Sequence, residues 1–254
     1  MIRLEALTKS YGRFTAVQPL DLEIGSGELF GFLGPNGAGK TTTIRMIVGV
    51  LRPTAGRVLV AGHDVFAEPR EAKRRIGYIP DRPYLYEKLS GAEFLRFVGG
   101  LWGRDGREAE RRADQLLDLF ELARWKDTLI ESYSQGMRQK ILISSALVHS
   151  PEVIVVDEPM IGLDPKGARL IKDLLRTFVA HGGTVFLSTH TLAIAEALCD
   201  RIAILHEGRI RAIGTMDELR REAAAGTAGL EDVFLRLTHG ENVAELVAAL
   251  RQSQ

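Results

Sequence analysis

The sequence predicts an α/β protein with a mainly parallel sheet, because strand-like and helix-like patterns alternate along most of its 254 residues. The run Val153–Val156 is continuously apolar and β-branched, which is typical of a central strand buried on both faces. Residues 87–150 instead carry long helical patterns. We therefore expect an α/β domain over residues 1–225, in which a helical insertion at 87–150 separates the parts 1–86 and 151–225.

Periodicity predicts the individual elements. Apolar Leu20, Leu22 and Ile24 alternate with acidic residues, as in a half-buried strand. Further strands are predicted at residues 2–8, 29–33, 57–62, 76–80, 184–187, 202–205 and 208–213. Helices are predicted from residue 41, through Leu116–Leu122, through Ile141–Leu147, over 166–181 and near 192–199. The tail, residues 226–254, is expected to end in an amphipathic helix (Val243, Leu246, Val247, Leu250) that packs either on the same domain or on a partner.

Composition excludes several classes of protein. Lysine plus arginine (33) balances aspartate plus glutamate (33), so nothing indicates a general attraction to nucleic acid. The single cysteine, Cys199, excludes an internal disulfide and a cysteine metal cluster, and it fits a reducing cytosol. No apolar run reaches the roughly 20 residues that span a bilayer, and the N-terminus lacks a signal-peptide core. We expect a cytoplasmic protein that another subunit would have to hold at a membrane.

Residues 34–41, Gly-Pro-Asn-Gly-Ala-Gly-Lys-Thr, fit the phosphate-binding loop pattern G-x-x-x-x-G-K-[ST] between an apolar strand and a helical pattern. Glycines let backbone N–H groups wrap around an anion, and the helix N-terminus adds the positive end of its dipole. Lys40 is expected at the β- and γ-phosphates and the Thr41 hydroxyl at Mg²⁺. A glycine-rich turn can also be a simple connection, but the context favours binding of a nucleoside triphosphate. The candidate binding residues are Gly34, Pro35, Asn36, Gly37, Ala38, Gly39, Lys40, Thr41 and Thr42.

Asp157 and Glu158 follow the predicted central strand directly. Side chains at the carboxyl end of such a strand face the crevice in which α/β sheets bind ligands. Asp157 fits the organisation of Mg²⁺, directly or through water, and Glu158 fits a base that polarises the attacking water. An Asp-Glu pair alone is common on surfaces. Because this pair follows an apolar strand and accompanies a phosphate loop, it is strong evidence for a site that organises Mg²⁺ and polarises water.

Two further residues each admit two interpretations. Ser134 is a candidate N-cap of the helix that runs towards Val148, and such a helix start can also aim its free N–H groups at an anion. His190 follows a core strand, and from the isolated sequence a buried structural histidine is favoured over a γ-phosphate contact.

Taken together, these motifs resemble the ATPase subunit of an ATP-binding cassette (ABC) transporter over nearly the whole chain. Residues 34–41 match the family's Walker A loop, 153–158 its Walker B, 133–137 its signature, 162–164 its D-loop and His190 its switch histidine. Tyr11 falls where the family places an aromatic that stacks on adenine, although a strand-end core aromatic is the alternative.

The resemblance implies a P-loop NTPase (RecA-like) core with an N-terminal antiparallel β subdomain. It implies that two subunits bind two ATP with Mg²⁺ head to tail, so that the loop and Glu158 of one face Ser134 and Gly136 of the other. Asp164 of the D-loop is then also expected at the nucleotide. ATP closes this dimer and hydrolysis reopens it, and the motion reaches membrane subunits through a surface groove near Asp81–Leu89.

Two of the motifs depart from the family pattern. Gln135 and Met137 replace a glycine and the glutamine of the signature, whereas Ser134 and Gly136 are retained. Asp81 stands where the family has a glutamine that binds Mg²⁺ and water; an aspartate can still supply oxygen to Mg²⁺, so Asp81 is a candidate metal ligand.

The segments 79–86, 133–137 (Tyr-Ser-Gln-Gly-Met) and Leu230–Phe234 resemble the bacterial ABC-2-type branch, which implies export through a separate membrane subunit. The alternatives are a soluble ABC ATPase of an assembly machine, such as iron–sulfur cluster assembly, and a nucleic-acid-linked ABC protein, which usually has two cassettes or a long coiled coil. A regulatory GTPase would need the guanine-reading Asn-Lys-x-Asp, which is absent. A homodimer is the default expectation, and a heterodimer with a related ATPase stays open.

Overall fold

The computed structural model describes residues 1–82, 84–104, 106–158, 163–223 and 229–239. The strands are β1 (Ile2–Tyr11), β2 (Phe14–Ile24), β3 (Leu29–Leu33), β4 (Ala55–Val60), β5 (His63–Asp64), β6 (Ile76–Ile79), β7 (Val153–Asp157), β8 (Thr184–Ser188), β9 (Arg201–His206) and β10 (Arg209–Gly214). The helices are α1 (Lys40–Ile47), α2 (Pro69–Arg74), α3 (Gly91–Leu101), α4 (Gly106–Leu119), α5 (Gln135–Leu147), α6 (Pro165–Ala180), α7 (Leu192–Leu198), α8 (Met216–Glu222) and α9 (Leu230–His239).

Every predicted strand is present, with bounds that differ by a few residues and with longer β1 and β2. The elements β5, α2, α8 and α9 were not predicted. Three of them, β5, α2 and α8, have only two to seven residues, which is too short to show a period. The apolar positions predicted for the last helix of the tail lie outside the described residues.

The strands form two sheets. An antiparallel sheet has the order β2-β1-β4-β5, and a six-stranded sheet has the order β10-β9-β3-β8-β7-β6. In the larger sheet all neighbouring strands are parallel except β10, which pairs antiparallel with β9. This confirms the predicted α/β class with its antiparallel β subdomain. Because β3, β7 and β8 run in the same direction, the segments that follow Leu33, Asp157 and Ser188 lie at one edge of the sheet.

The large sheet is covered on both faces. Along β7, Val153 and Val155 pack with the antiparallel sheet and α1, whereas Ile154 and Val156 pack with the helices on the other face. All four side chains are fully buried. Burial of an aliphatic side chain of this size stabilises the fold by about 1.5–3 kcal/mol, so β7 is a well-anchored support for the residues at its end.

The helical insertion differs from the prediction at α4. Leu117 is buried as expected, but the helix ends at Leu119, which is half exposed. Glu121 has φ +59°, a left-handed conformation that ends a helix, so a single helix through Leu122 was wrong. Phe120 and Leu122 are nevertheless buried, because the turn after α4 places both side chains in the same hydrophobic cluster as Leu116 and Leu117.

The C-terminal elements pack on the edge of the same sheet. Leu219 of α8 and Leu230 and Val233 of α9 are fully buried in one cluster with Ile202 and Ile204 of β9. The described part of the tail therefore packs against the large sheet in a hydrophobic cluster of its own. None of the helices in the described ranges is long and apolar enough to cross a membrane.

Candidate nucleotide-binding site

The loop between β3 and α1 is pressed against two other strands. A Cβ on Gly34 would lie 2.4 Å from the carbonyl oxygen of Leu205 in β9, and one on Gly39 would lie 2.6 Å from that of Ala16 in β2. Gly39 also has φ +108° and Gly37 φ +82°, in the region that favours glycine. Close packing therefore requires glycine at two of these positions, in addition to the anion-wrapping reason that the motif provides.

Helix α1 begins directly behind this loop. Its first internal hydrogen bond runs from the N–H of Thr43 to the carbonyl oxygen of Gly39, at 2.9 Å. The N–H groups of Lys40, Thr41 and Thr42 precede that bond, so the helix geometry leaves them available to an anion. The positive end of the helix dipole points the same way.

Lys40 folds back over the loop. Its Nζ donates to the carbonyl oxygens of Gly34 at 2.6 Å and Pro35 at 3.1 Å. Burial lowers the pKa of Lys40, and the nearby carboxylates of Glu158 and Asp157 partly oppose this effect. The Lys40 ammonium therefore lies against the phosphate loop and close enough to the two acids for their charges to act on it.

Asp157 and Thr41 bring oxygen atoms together at the carboxyl end of β7. The Thr41 hydroxyl lies 3.4 Å from Oδ2 of Asp157, whose side chain is buried. Burial raises the pKa of Asp157, and the charges of Asp81 and Glu158 add to that effect. A buried carboxylate beside a hydroxyl fits Mg²⁺, which takes few protein ligands, all of them oxygens, and whose charge would offset the cost of burial.

Asp81 lies at the same edge of the sheet. It follows β6, which pairs in parallel with β7 so that Ile79 lies opposite Val156. The Asp81 side chain is exposed, and its negative charge helps to raise the pKa of Asp157. Asp81 is thus near the site, and its role as a metal ligand stays a prediction.

Glu158 is held in an unusual backbone conformation with φ +53°. Non-glycine residues at such values are uncommon and cluster at functional sites. Its main-chain N–H donates to the carbonyl oxygen of Ser188 at 3.0 Å. From the described residues its carboxylate accepts three hydrogen bonds: Oε1 from the main-chain N–H and Nδ1 of His190, both at 2.7 Å, and Oε2 from Oγ1 of Thr189 at 3.1 Å.

His190 is not the buried structural histidine that the isolated sequence favours, because 63% of its side chain is exposed. It follows β8, whose end lies beside that of β7. Because a carboxylate only accepts hydrogen bonds, we assign the ring proton to Nδ1, which faces Glu158. The other ring nitrogen, Nε2, is then the one available to a ligand.

Ser134 is the N-cap of α5, as predicted. Its Oγ accepts the N–H of Met137 at 3.3 Å, and Gly136 is the second residue of the helix. Ser134 is exposed, and among the described residues no hydrogen bond or ion pair joins Ser134 or Gly136 to the phosphate loop. Within one chain the structure therefore does not bring the two predicted anion-binding helix starts together.

Asp164 and Tyr11 lie in two other parts of the surface. Asp164 is the exposed N-cap of α6, where its Oδ1 accepts the N–H of Gly167 at 2.9 Å. Residue 162 of the predicted D-loop lies outside the described residues. Tyr11 ends β1 and is 50% exposed, with Nζ of Lys9 at 5.3 Å from the ring centre. The alternative of a core aromatic is therefore wrong for Tyr11.

Sequence reasoning missed two residues that position predicted site residues, Thr189 beside Glu158 and Arg138 beside Ser134. Thr189 contacts Glu158 directly, and its position between a strand end and His190 was the available signal. Arg138 fixes the segment before Ser134: its guanidinium donates to the carbonyl oxygens of Glu131 and Tyr133 and pairs with the carboxylate of Glu87. No motif pointed to Arg138.

Comparisons with known proteins agree with this geometry. The family model described as ABC transporter matches residues 17–161. The daunorubicin resistance ATP-binding protein DrrA3 of Streptomyces coeruleorubidus is 41% identical over 235 residues, which cover 92% of this chain and 73% of the relative. The Nod factor export ATP-binding protein I of Paraburkholderia xenovorans is 37% identical over 218 residues, covering 86% and 72%.

Two solved structures share the fold. The ATP-binding subunit of an ABC transporter superposes with a TM-score of 0.88 at 34% identity, covering 93% of this chain and 99% of that one. The ATP-binding cassette MJ0796, a dimer in a post-hydrolysis state bound to ADP and Pi, gives a TM-score of 0.78 at 27% identity, covering 85% and 99%.

The fold and the site define a P-loop ATPase cassette: a phosphate loop, a buried aspartate and a held glutamate meet at one edge of a mainly parallel sheet. The chain belongs to the ABC transporter family, as the ATP-binding and ATP-hydrolysing subunit of a transporter. The matching family and relatives favour transport over the alternative of an assembly machine.

Proposed function

We propose that two copies of this chain, or this chain and a related ATPase, enclose two ATP molecules between them. The observation that supports this proposal is that the N-termini of α1 and α5, the two predicted anion-binding helix starts, lie apart within one chain. The start of α1 lies at the sheet edge with Lys40 and Glu158, whereas the start of α5 at Ser134 is exposed and, in the described part of the chain, has no hydrogen bond to that edge. A second subunit can supply Ser134 and Gly136 to the γ-phosphate, and the neighbour MJ0796 is a dimer.

In this proposal the phosphates lie against the N–H groups of residues 34–42 and against Lys40, while Tyr11 stacks on adenine and Asp164 approaches the partner's nucleotide. Thr41 and Asp157, with Asp81 nearby, would hold Mg²⁺, which when bound neutralises charge on the β- and γ-phosphates. Glu158 orients a water molecule and accepts its proton as the water oxygen bonds to the γ-phosphorus and the bond to the β-phosphate oxygen breaks.

His190 offers Nε2 to the γ-phosphate while Nδ1 holds Glu158. Because Nδ1 already carries a proton in that contact, donation from Nε2 requires the doubly protonated ring. In this proposal His190 therefore contacts both the Glu158 carboxylate, through Nδ1, and the γ-phosphate, through Nε2.

The proposed membrane subunit binds near residues 81–89. Tyr84 (80%) and Tyr86 (61%) of this segment are exposed, and so is Phe97 (43%) of α3, whose ring lies 5.4 Å from that of Tyr86. Isolated exposed apolar residues are ordinary, but such a cluster is typical of an interaction surface. We infer that the chain works at the cytoplasmic face of the membrane, and the relatives in daunorubicin resistance and Nod factor export support export as the direction.

Residues 81–89 are hydrogen-bonded to the loop that precedes Ser134. The N–H of Ile130 donates to the carbonyl oxygen of Leu89 at 2.9 Å, and the N–H of Glu131 donates to that of Glu87 at 3.1 Å. Arg138 adds its pairing with Glu87. A displacement of the membrane subunit would therefore act directly on the segment that ends at Ser134.

The oligomeric state of Glu158→Gln tests the proposal. The amide keeps the shape of the side chain but accepts no proton, so this variant should bind Mg²⁺-ATP and hydrolyse it at least about 100-fold more slowly. Light scattering should show a monomer without nucleotide and a dimer with Mg²⁺-ATP. Lys40→Ala should stay monomeric under both conditions. A Glu158→Gln variant that binds ATP as a monomer would contradict the shared site, and turnover at the parent rate would contradict the assignment of the base.

A further inference from the structure

Thr189 lies directly after β8 and is buried, with 1% of its surface exposed. Its Oγ1 lies 3.0 Å from the main-chain nitrogen of Thr191 and 3.1 Å from Oε2 of Glu158. The hydroxyl thus stands between the turn that leads into α7 and the carboxylate at the end of β7.

The direction of these two hydrogen bonds follows from the groups involved. The N–H of Thr191 can only donate, so it uses a lone pair of Oγ1. A carboxylate only accepts, so the hydroxyl hydrogen of Thr189 points at Oε2 of Glu158. The turn therefore fixes the rotation of the hydroxyl towards the carboxylate.

Thr189 is the one donor to Oε2 among the described residues, since the two other donors, both from His190, reach Oε1. The terminal torsion of a glutamate side chain has a broad profile, so a carboxylate held only at Oε1 can rotate about that end. A donor at each oxygen defines the plane of the carboxylate, which sets where its lone pairs face a water molecule.

We propose that Thr189 is a positioning residue for ATP hydrolysis, acting through its hydroxyl on the orientation of Glu158. The inference rests on the proposed role of Glu158 as the base. Thr189 contributes to the rate of the chemical step and not to ATP binding, because its hydroxyl donates to Glu158 and, among the described residues, has no hydrogen bond to the phosphate loop.

The test replaces Thr189 with valine, which keeps the branched shape and removes the hydroxyl, and with serine, which keeps the hydroxyl. A general base accelerates proton transfer by about 10²–10⁴, so loss of its orientation should lower kcat by about 10- to 100-fold in Thr189→Val. KM for ATP should change by less than about twofold, because the Thr189 hydroxyl acts on Glu158 and not on the bound nucleotide. Thr189→Ser should lie within about threefold of the parent rate.

A residue that only shapes the turn would behave differently. In that case Thr189→Val would raise the dissociation constant for ATP as strongly as it lowers kcat, or would leave kcat at the parent value; either result overturns the proposal. Thermal unfolding of both variants identifies a general loss of fold. If the valine variant unfolds, a folded Thr189→Ser variant whose kcat falls more than about threefold below the parent value overturns the proposal.

The double variant Thr189→Val/Glu158→Gln separates two claims: that Thr189 positions Glu158, and that Glu158 is the base. If Thr189 acts through Glu158, adding Thr189→Val to Glu158→Gln should change the residual single-turnover rate by less than about twofold. A further loss as large as that seen in the parent background overturns the role of Thr189 alone. Turnover of the single Glu158→Gln variant at the parent rate refutes the base itself, independently of Thr189.

Discussion

Replacing Gly34 with alanine places a methyl group against a strand that has little room to move. The new Cβ would lie 2.4 Å from the carbonyl oxygen of Leu205 and 3.0 Å from Cβ of Ala38. Close carbon–oxygen contacts in proteins begin near about 3.3 Å, so the two atoms must separate by about 0.9 Å (3.3 − 2.4). Leu205 lies in β9, where the preceding Ile204 pairs with Leu33, so the strain falls on the β3–β9 ladder.

Overpacking of a rigid core by one methyl group costs about 1–3 kcal/mol. For a chain of this size that corresponds to a melting temperature lower by about 2–12 °C. The displacement also moves the carbonyl oxygen of Gly34, to which Nζ of Lys40 donates at 2.6 Å. We expect the affinity for ATP to fall by about tenfold, or about 1.4 kcal/mol.

The assay compares Gly34→Ala with Gly100→Ala by thermal unfolding without nucleotide and by titration with a fluorescent ATP analogue. A Cβ on Gly100, near the end of α3, would meet no heavy atom within 4 Å. The same chemical change should there stabilise the helix by about 0.5 kcal/mol and leave ATP binding unchanged. If Gly34→Ala unfolds at the parent temperature and binds ATP as tightly, the argument that packing requires glycine at this position is refuted.

Two further predictions concern the metal side of the site and the docking surface. Burial raises the pKa of Asp157 above its unfolded value, so the stability that this group contributes is present at low pH and is lost as the pH rises through the folded pKa. Asp157→Asn should therefore raise the melting temperature at pH 8 without nucleotide and lower the affinity for Mg²⁺-ATP by at least about tenfold; a lower melting temperature would contradict this. Tyr84→Ser should keep the ATPase rate of the isolated chain and the fold within about 0.5 kcal/mol, yet reduce copurification with a coexpressed membrane subunit. Leu119→Ser, which changes an exposed apolar residue on α4, is the matched control, and equal copurification of both variants would place the docking surface elsewhere.

Local chemistry was sufficient to predict much of this protein. The phosphate loop, the buried strand Val153–Val156 and the cap at Ser134 are each specified by residues next to one another, and the structure has all three as predicted. The proximity of Lys40 and Asp157 also followed from sequence, because parallel strands end at one edge of a sheet.

Tertiary structure decided what depends on contacts between distant segments. His190 is exposed, Gly34 packs against the carbonyl oxygen of Leu205, and Thr189 donates a hydrogen bond to Glu158. Each of these features depends on segments that are far apart in the chain, so no periodic pattern in the sequence reveals it. The end of α4 was missed for a related reason: Phe120 and Leu122 are apolar because the turn buries them, and a buried turn shows the same composition as a buried helix. The sequence by itself determined which chemical groups the site contains, and only the packing of the strands and their loops determined how those groups are oriented.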